Sequence, residues 1–411
     1  MAACSVTRRP PANLGLETAD SLVAAATLGG TIPGAVLLVA QDGEILLERA
    51  YGFAALMEVP PDTTGTVQVS ARNLGPPRVR RHPRRMTTST AFDLASVTKV
   101  MATTMAAMLL LERGQVELEA PVYRYLPEFR GTHKDSVTVY HLLTHSAGLA
   151  QWQPIYYSAS TSEEALAAIC DLPLEWGVGE VRHYSDLGFM LLGHLVERMT
   201  GMRLDRFVAE ELYRPLGLER TGFRPPGCTD CPTGPFAATS HGNPFEYRMV
   251  HDTAFGYRYT DDPDSWSGWR HRTLAGEVND GNAFHAFGGV AGHAGLFSTA
   301  RELAALLELL LNGGESAGRQ LLQSATIARF LERTAYGQAL GWQTPDWAPN
   351  GSFSHTGFTG TLVVGIPSRG LAIVILTNRQ HLGVDDDTRY PDLGALQRSV
   401  VEAVLAVEAT R

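Results

Sequence analysis

A serine and a lysine three residues apart, in Ser96-Val97-Thr98-Lys99, open an apolar stretch that runs to Gly114. Val97, Met101, Met105, Met108 and Leu109 recur in it at helical spacing. Residues three apart on a helix share a face, so the amine of Lys99 reaches the hydroxyl of Ser96. That pairing sets a nucleophile beside a base. Of 34 basic residues only Lys99 and Lys134 are lysine, and the other 32 are arginine. A guanidinium keeps its proton at working pH, whereas an ammonium removed from water can release it. On these residues alone a second reading stands, in which Ser96 merely caps a helix start.

Two further clusters fit the pair. Tyr184-Ser185-Asp186 precedes a helical pattern over residues 187–199, so its side chains project from a loop into a cleft. A phenol near an ammonium can share its proton and act as acid or base towards a serine. His355-Thr356-Gly357 lies on a late strand and is followed by Phe358-Thr359-Gly360. Glycine there lets a substrate lie along the strand edge, while His355 and Thr356 can bind a carboxylate or polar group.

Other chemistry-bearing residues carry less. His141 and His145 have the spacing of two metal ligands, but Leu142 stands where a zinc protease has its glutamate. They read as structural histidines that brace the segment through hydrogen bonds. Cys228 and Cys231 have the spacing of half a zinc site or of a redox pair, in a proline-rich loop with no second pair. With Cys4 and Cys170 they make four cysteines, too few for a disulfide framework in a chain this long. The glycine-rich residues 288–295 lack the strand-then-helix context of a phosphate loop.

Taken in order, Ser-x-x-Lys, Tyr-Ser-Asp and His-Thr-Gly closely resemble the serine beta-lactamase and penicillin-binding-protein superfamily. The resemblance is strongest to its class C beta-lactamase branch, with the DD-peptidases and family VIII esterases. His141-Leu142-Leu143-Thr144-His145-Ser146-Ala147-Gly148-Leu149 and Gly292-His293-Ala294-Gly295-Leu296-Phe297-Ser298 are also similar to that group, so the likeness spans roughly residues 30–405. It implies that Ser96 forms an acyl-enzyme, that Lys99 and Tyr184 relay its proton, and that the backbone N–H groups of Ser96 and Phe358 hold the oxyanion. It assigns Asp186, His355, Thr356, Gly357 and Phe358 to substrate binding and implies neither a metal nor an organic cofactor.

Class A lactamases are less similar, because Leu187 replaces the last residue of their Ser-Asp-Asn and a separate glutamate base has no counterpart. An alpha/beta-hydrolase is disfavoured by the absence of a Gly-x-Ser-x-Gly elbow.

Two departures bear on substrate. Asp186 stands where the group usually has asparagine, and an ionised carboxylate only accepts hydrogen bonds. His355 stands in place of the common lysine and offers a weaker, pH-dependent charge to a substrate carboxylate. Esterase-like activity on a small ester or amide is therefore expected before lactamase activity. D-Ala-D-Ala carboxypeptidase or D-amino-acid peptidase is the alternative, and a non-catalytic sensor or scaffold that binds acyl compounds is the alternative of another class.

The elements that position these residues follow a simple order. A helix over residues 16–28 leads into a hairpin at 35–40 and 45–50, and helices follow at 96–114, 162–169, 187–199, 204–213 and 300–311. Strands return at 337–342, 352–355, 361–366 and 371–377, before a last helix at about 392–406. The expected fold is α+β and beta-lactamase-like: an antiparallel sheet flanked by N- and C-terminal helices, with a mostly helical domain inserted. The sheet domain takes residues 1–95 and 335–411, and the helical domain with long loops takes 96–334. Residues 53–90 read as an irregular Arg- and Pro-rich insertion, with six arginines between Arg72 and Arg85 in an exposed loop, and residues 222–278 as loop.

At 411 residues with 44% hydrophobic and 19% charged residues, the chain has ordinary globular proportions. A net charge of -9 argues against nucleic acid as a partner. No stretch reads as a signal peptide or a membrane span, so a soluble cytoplasmic protein with no membrane partner is expected. No oligomeric state is implied.

Overall fold

The computed structural model describes residues 15–59, 77–255 and 262–406. Helix α1 (Leu16–Leu28) leads into strands β1 (Gly34–Gln41) and β2 (Glu44–Glu58), and β3 (Arg78–Arg85) follows. The helical run α2 (Ala95–Glu112) then enters the core. Helices α3 (Asp186–Thr200) and α4 (Ala300–Leu311) come next, and the chain returns to strands β4 (Phe353–Gly357), β5 (Thr361–Ile366) and β6 (Leu371–Thr377) before helix α5 (Gly394–Leu405). Six strands form one sheet in the order β4-β5-β6-β1-β2-β3, in which all neighbours are antiparallel. The chain's two ends meet where β1 pairs with β6, Val36 opposite Leu376 and Val39 opposite Ile373.

The period of two along β1 divides its side chains between two cores. Ala35, Leu37 and Val39 face the layer that carries Ala19 and Val23 of α1 and Val400, Val401 and Val404 of α5. Val36, Leu38 and Ala40 face the larger core, which includes Leu303, Leu306 and Leu310 of α4 and most of α2. A strand buried on both faces reads as a continuous apolar run rather than an alternation, as Ala35 to Ala40 does.

The run α2 is not a uniform α-helix. A 3₁₀ turn over Ala95–Val97 passes into a wide π-type segment at Lys99–Thr104 and only then into α-helix over Met105–Glu112. Wide turns of this kind mark functional sites more often than regular helix does. By length and composition alone α2 could cross a membrane, yet 83% of it is buried inside this fold. The expectation that no stretch reaches that threshold is corrected here: burial on all sides produces the same apolar signature.

Three other expectations change. The arginine-rich residues 78–85 are not an exposed loop but edge strand β3, paired with β2 at Phe53–Arg85, Met57–Val79 and Glu58–Arg78. Charge and Pro83 lower the strand signal while suiting an edge, where they discourage pairing with another chain. Arg78 and Arg80 also lie 3.4 and 3.7 Å from Glu58. Arg72 and the rest of residues 60–76 lie outside the described residues, as does Cys4. Residues 337–342 make turns rather than a strand, because Gly337 and Gly341 take φ of 73° and 79°. Residues 222–278 contain a short ladder, Ala238–His241 with Thr273–Ala275, and a helix over Pro244–His251. Within the same stretch Cys228 and Cys231 form a disulfide.

Leu37 is fully buried between β1 and the α1–α5 layer. Leu37→Ala is expected to lower the unfolding free energy by about 2–5 kcal/mol, since it removes buried surface and leaves a cavity. Urea denaturation checks this, and a loss below about 1 kcal/mol would contradict a shared core on that face.

Candidate active site

The turn before Ser96 is held in an uncommon conformation. Ala95 has φ of 45°, in the left-handed region that L-residues seldom adopt. The carboxylate of Asp93 holds it there, accepting the Ala95 N–H at 2.9 Å and, on its other oxygen, the Asn279 N–H at 2.6 Å. Two threonine hydroxyls fasten the β4–β5 hairpin to the same turn: Thr359 donates to the Asp93 carbonyl at 2.7 Å and Thr361 to the Leu94 carbonyl at 3.1 Å. Gly357 completes the contact, since a Cβ there would run into the Leu94 carbonyl and the Thr361 hydroxyl. That close approach is the physical reason for glycine in His-Thr-Gly.

Lys99 is fully buried. Its Nζ lies 2.9 Å from Ser96 Oγ, 2.7 Å from Asp186 Oδ1, 3.3 Å from the His293 carbonyl and 4.9 Å from the centre of the Tyr184 ring. Tyr184 and Ser96 face one cavity. Burial alone would lower the Lys99 pKa, but the charge of Asp186 and the Tyr184 phenol outweigh it and raise it. The expected desolvated lysine is therefore an ammonium at rest, because Asp186 supplies a counter-charge. Burial, with Asp186 beside it, raises Tyr184 as well, against the lowering effect of Lys99 and Ser96.

The Tyr184-Ser185-Asp186 segment is placed by its neighbours. Ser185 caps α3, accepting the Gly188 N–H at 3.3 Å while donating to the Ala150 carbonyl at 2.6 Å. His145 Nδ1 accepts the Ser185 N–H at 3.0 Å, and its ring sits 4.4 Å from that of Tyr184. His141 lies apart, closing a capping box with Thr138. The two histidines thus act as braces on separate segments rather than on one helix face.

His355 departs from expectation. It is buried and donates from Nδ1 to the Thr356 carbonyl at 2.8 Å. Burial, reinforced by Lys99, lowers its pKa to about 3. It is a neutral imidazole across the physiological range and supplies no pH-dependent charge for a carboxylate. Thr356 has an exposed side chain, and Phe358, 38% exposed, stands at the mouth of the cleft.

A cavity of about 290 Å³ joins Ser96, Tyr184, Asp186 and Phe358 to Trp152, Phe245, Glu246, Asp280 and His293. A larger space of about 510 Å³, beside Tyr247 and Arg248, contains none of the predicted residues. Glu246, Asp280 and the orienting Asp93 escaped the sequence reading, because no short motif surrounds them. His293 lies in the Gly-His-Ala-Gly segment, whose histidine was the one available signal. Among the described residues no three His, Cys, Asp or Glu gather as metal ligands.

Comparison with known proteins fits this architecture. The beta-lactamase family model matches residues 19–397, and the chain belongs to that family. It is 34% identical over 386 residues to an N-acetylmuramyl-L-alanine amidase of Bacillus subtilis (strain 168), covering 88% of this chain and 80% of the relative. To a putative D-alanyl-D-alanine carboxypeptidase of Salmonella schwarzengrund (strain CVM19633) it is 33% identical over 388 residues, covering 88% and 82%. Among solved structures, a family VIII carboxylesterase superposes with a TM-score of 0.65 at 20% identity, covering 97% of this chain and 98% of that one. A class C beta lactamase from Rhodobacter sphaeroides does so with 0.63 at 20%, covering 95% and 100%. These two likenesses show the fold.

Burial raises the Asp93 carboxyl from 3.8 to about 6, against its two N–H bonds. An acid raised by folding binds its proton more tightly in the native state, so its contribution to stability is largest below about pH 4 and is lost as pH rises through 6. Asp93→Asn removes that term. The unfolding free energy of the variant should therefore gain on the wild type between pH 4 and 7, and a pH-independent difference would contradict the assignment.

Proposed function

We propose that the protein is a serine hydrolase that cleaves a small ester or amide through an acyl-Ser96 intermediate. The observation that carries this is the Lys99 ammonium, buried and 2.9 Å from Ser96 Oγ, with the Tyr184 ring centre 4.9 Å from its Nζ. Ser96 Oγ attacks the carbonyl carbon. Its proton passes to Lys99 as Lys99 hands one to Asp186, so the ammonium is retained and the carboxylate ends protonated. The bond from the carbonyl carbon to the leaving oxygen or nitrogen then breaks as that atom takes the Tyr184 proton. Water attacks the acyl-enzyme and gives a proton to the Tyr184 phenolate, and Ser96 Oγ leaves with the proton returned from Asp186 through Lys99. The backbone N–H groups of Ser96 and Phe358 receive the oxyanion.

Ester-like substrates are favoured over those ending in a carboxylate, because the neutral His355 gives such a group no charge to meet. The relatives favour a second reading, a peptidase or amidase acting on cell-wall peptides, since one is named an amidase and the other a putative D-alanyl-D-alanine carboxypeptidase. Asp186, Thr356 and Gly357 would line the substrate in either case.

Turnover of p-nitrophenyl acetate should fall by at least about a thousandfold in Ser96→Ala, with loss of the acyl adduct seen by mass spectrometry. Lys99→Arg should abolish acylation as well, although it keeps the charge. Near-normal acylation in Lys99→Arg would remove the proton relay. Faster release of D-alanine from a D-Ala-D-Ala peptide than of p-nitrophenol from the ester would reverse the substrate order. Binding without turnover of either would favour a non-catalytic role.

A further inference from the structure

The Cys228–Cys231 disulfide takes no part in the acyl-transfer chemistry, and its position does not suit a structural staple. The two cysteines are three positions apart, so the bond closes a very short loop and removes little freedom from the unfolded chain. Pro225, Pro226 and Pro232 already restrict the same stretch. Cys228, Thr229 and Asp230 are exposed and Cys231 is half-buried, so a thiolate can reach the bond from solvent. A cross-link that adds little to stability and lies open to attack suits thiol–disulfide exchange. Burial holds Cys170 by contrast as an unreactive thiol, its pKa pushed up to about 12.

The loop that carries the bond is an arch with a foot on each of two active-site segments. Its first foot, Gly222–Phe223, pairs with Leu296–Ser298, which pairs in turn with Phe92–Asp93. Leu296 comes shortly after His293, whose carbonyl meets Lys99 Nζ at 3.3 Å. The second foot is at Ala91, whose N–H donates to the Pro235 carbonyl at 2.9 Å and whose carbonyl accepts the Ala237 N–H at 2.9 Å. Ala91 closely precedes Asp93, the carboxylate that holds the turn before Ser96. Between its feet the arch presses on the glycine-rich residues 288–295. A Cβ on Gly289 would lie 3.1 Å from Pro225 Cα, and one on Gly295 3.2 Å from the Phe223 ring. The Cys228 N–H donates to the Pro225 carbonyl at 3.2 Å, so the cysteine and the proline that backs Gly289 belong to one turn.

We infer that Cys228–Cys231 is a reversible redox site, opened by a dithiol reductant, whose state sets the order of the His293 loop beside Lys99. A thiolate of the reductant attacks one sulfur, the S–S bond breaks, and the other sulfur leaves as a thiolate that takes a proton. The second thiol of the reductant then resolves the mixed disulfide. Two electrons and two protons thus pass to the cysteines, and the reductant ends as a disulfide. Opening the bond frees the turn between Pro225 and Pro232, and the contact of Pro225 on Gly289 loosens with it. The clasp at Ala91 and the Thr103 bond to the Gly292 carbonyl remain, so the fold persists while residues 288–296 gain motion.

Thiol trapping, amide exchange and turnover read this on the full chain. Folded protein treated with millimolar dithiothreitol and then iodoacetamide should carry alkylated Cys228 and Cys231 on peptide mapping. Amide hydrogen exchange in residues 288–296, followed by mass spectrometry, should be at least about threefold faster in the reduced than in the oxidised protein, and p-nitrophenyl acetate turnover at least about threefold lower. Reoxidation should restore both. Cys228→Ser combined with Cys231→Ser should match the reduced protein in both readings and ignore dithiothreitol. A bond that resists dithiothreitol in the folded protein, equal exchange of residues 288–296 in the two redox states, or equal Ser96-dependent turnover would each overturn the inference. So would a double variant that still responds to the reductant. No turnover in either state counts against the acyl-Ser96 reading alone, and the exchange rates, which need no catalysis and no variant, still decide the redox site.

Discussion

The ion pair between Lys99 and Asp186 is the interaction on which the rest of the site depends. An ammonium with no exposure to solvent is strongly disfavoured unless a counter-charge and hydrogen-bond acceptors surround it. Here one amine meets a carboxylate at 2.7 Å, a hydroxyl at 2.9 Å and a carbonyl at 3.3 Å. Its three N–H bonds face three acceptors. Removing one member of such a buried pair typically costs about 3–5 kcal/mol, so the carboxylate at position 186 is part of the stability of the site.

The partners of that amine come from distant parts of the chain, and the fold brings them together by short polar ties. Ser96 and Lys99 start α2, Tyr184 and Asp186 start α3, and the His293 carbonyl arrives from the loop before α4. Asp93 links the Ser96 turn to Asn279, next to the carboxylate of Asp280. Thr359 and Thr361 link the same turn to the sheet. Thr103 on α2 donates to the Gly292 carbonyl at 2.7 Å, which holds the His293 loop against the lysine. Each tie satisfies a buried backbone group that water cannot reach, so the polar network and the packing specify the same arrangement.

What could be read from the sequence follows from how local each constraint is. The helix over residues 16–28, the β1–β2 hairpin and α4 carry their periodicity and turn residues within a few positions, and they occur where expected. The proximity of Ser96 to Lys99 was legible for the same reason. Strand β3 was not, because an edge strand of arginines and a proline reports its single neighbour rather than its own propensity. The turns at residues 337–342 were hidden by apolar residues that pack without a ladder. Asp93 and Asp280 were invisible because their partners lie far away in sequence, Asp93 with Asn279 across some 186 positions. The charge states were the least legible: a lysine read as able to release its proton is held as an ammonium, and a histidine expected to titrate stays neutral, because each answers to neighbours that only the fold supplies.

Those two charge states together set the electrostatics that a substrate meets. A lysine in the strand position of His355 would place a permanent cation beside the cleft, and the ammonium of Lys99 would then feel repulsion from it. With a neutral imidazole there, the charge of Lys99 meets the Asp186 carboxylate at 2.7 Å, and the cavity beyond it is lined by carboxyl groups without a lysine or arginine. Coulomb energy falls slowly with distance where water is excluded, so a change from cation to neutral at one wall alters the potential throughout a space of about 290 Å³. The short polar ties hold the serine, the amine and the phenol in place, while the buried residue at position 355 sets the potential beside them.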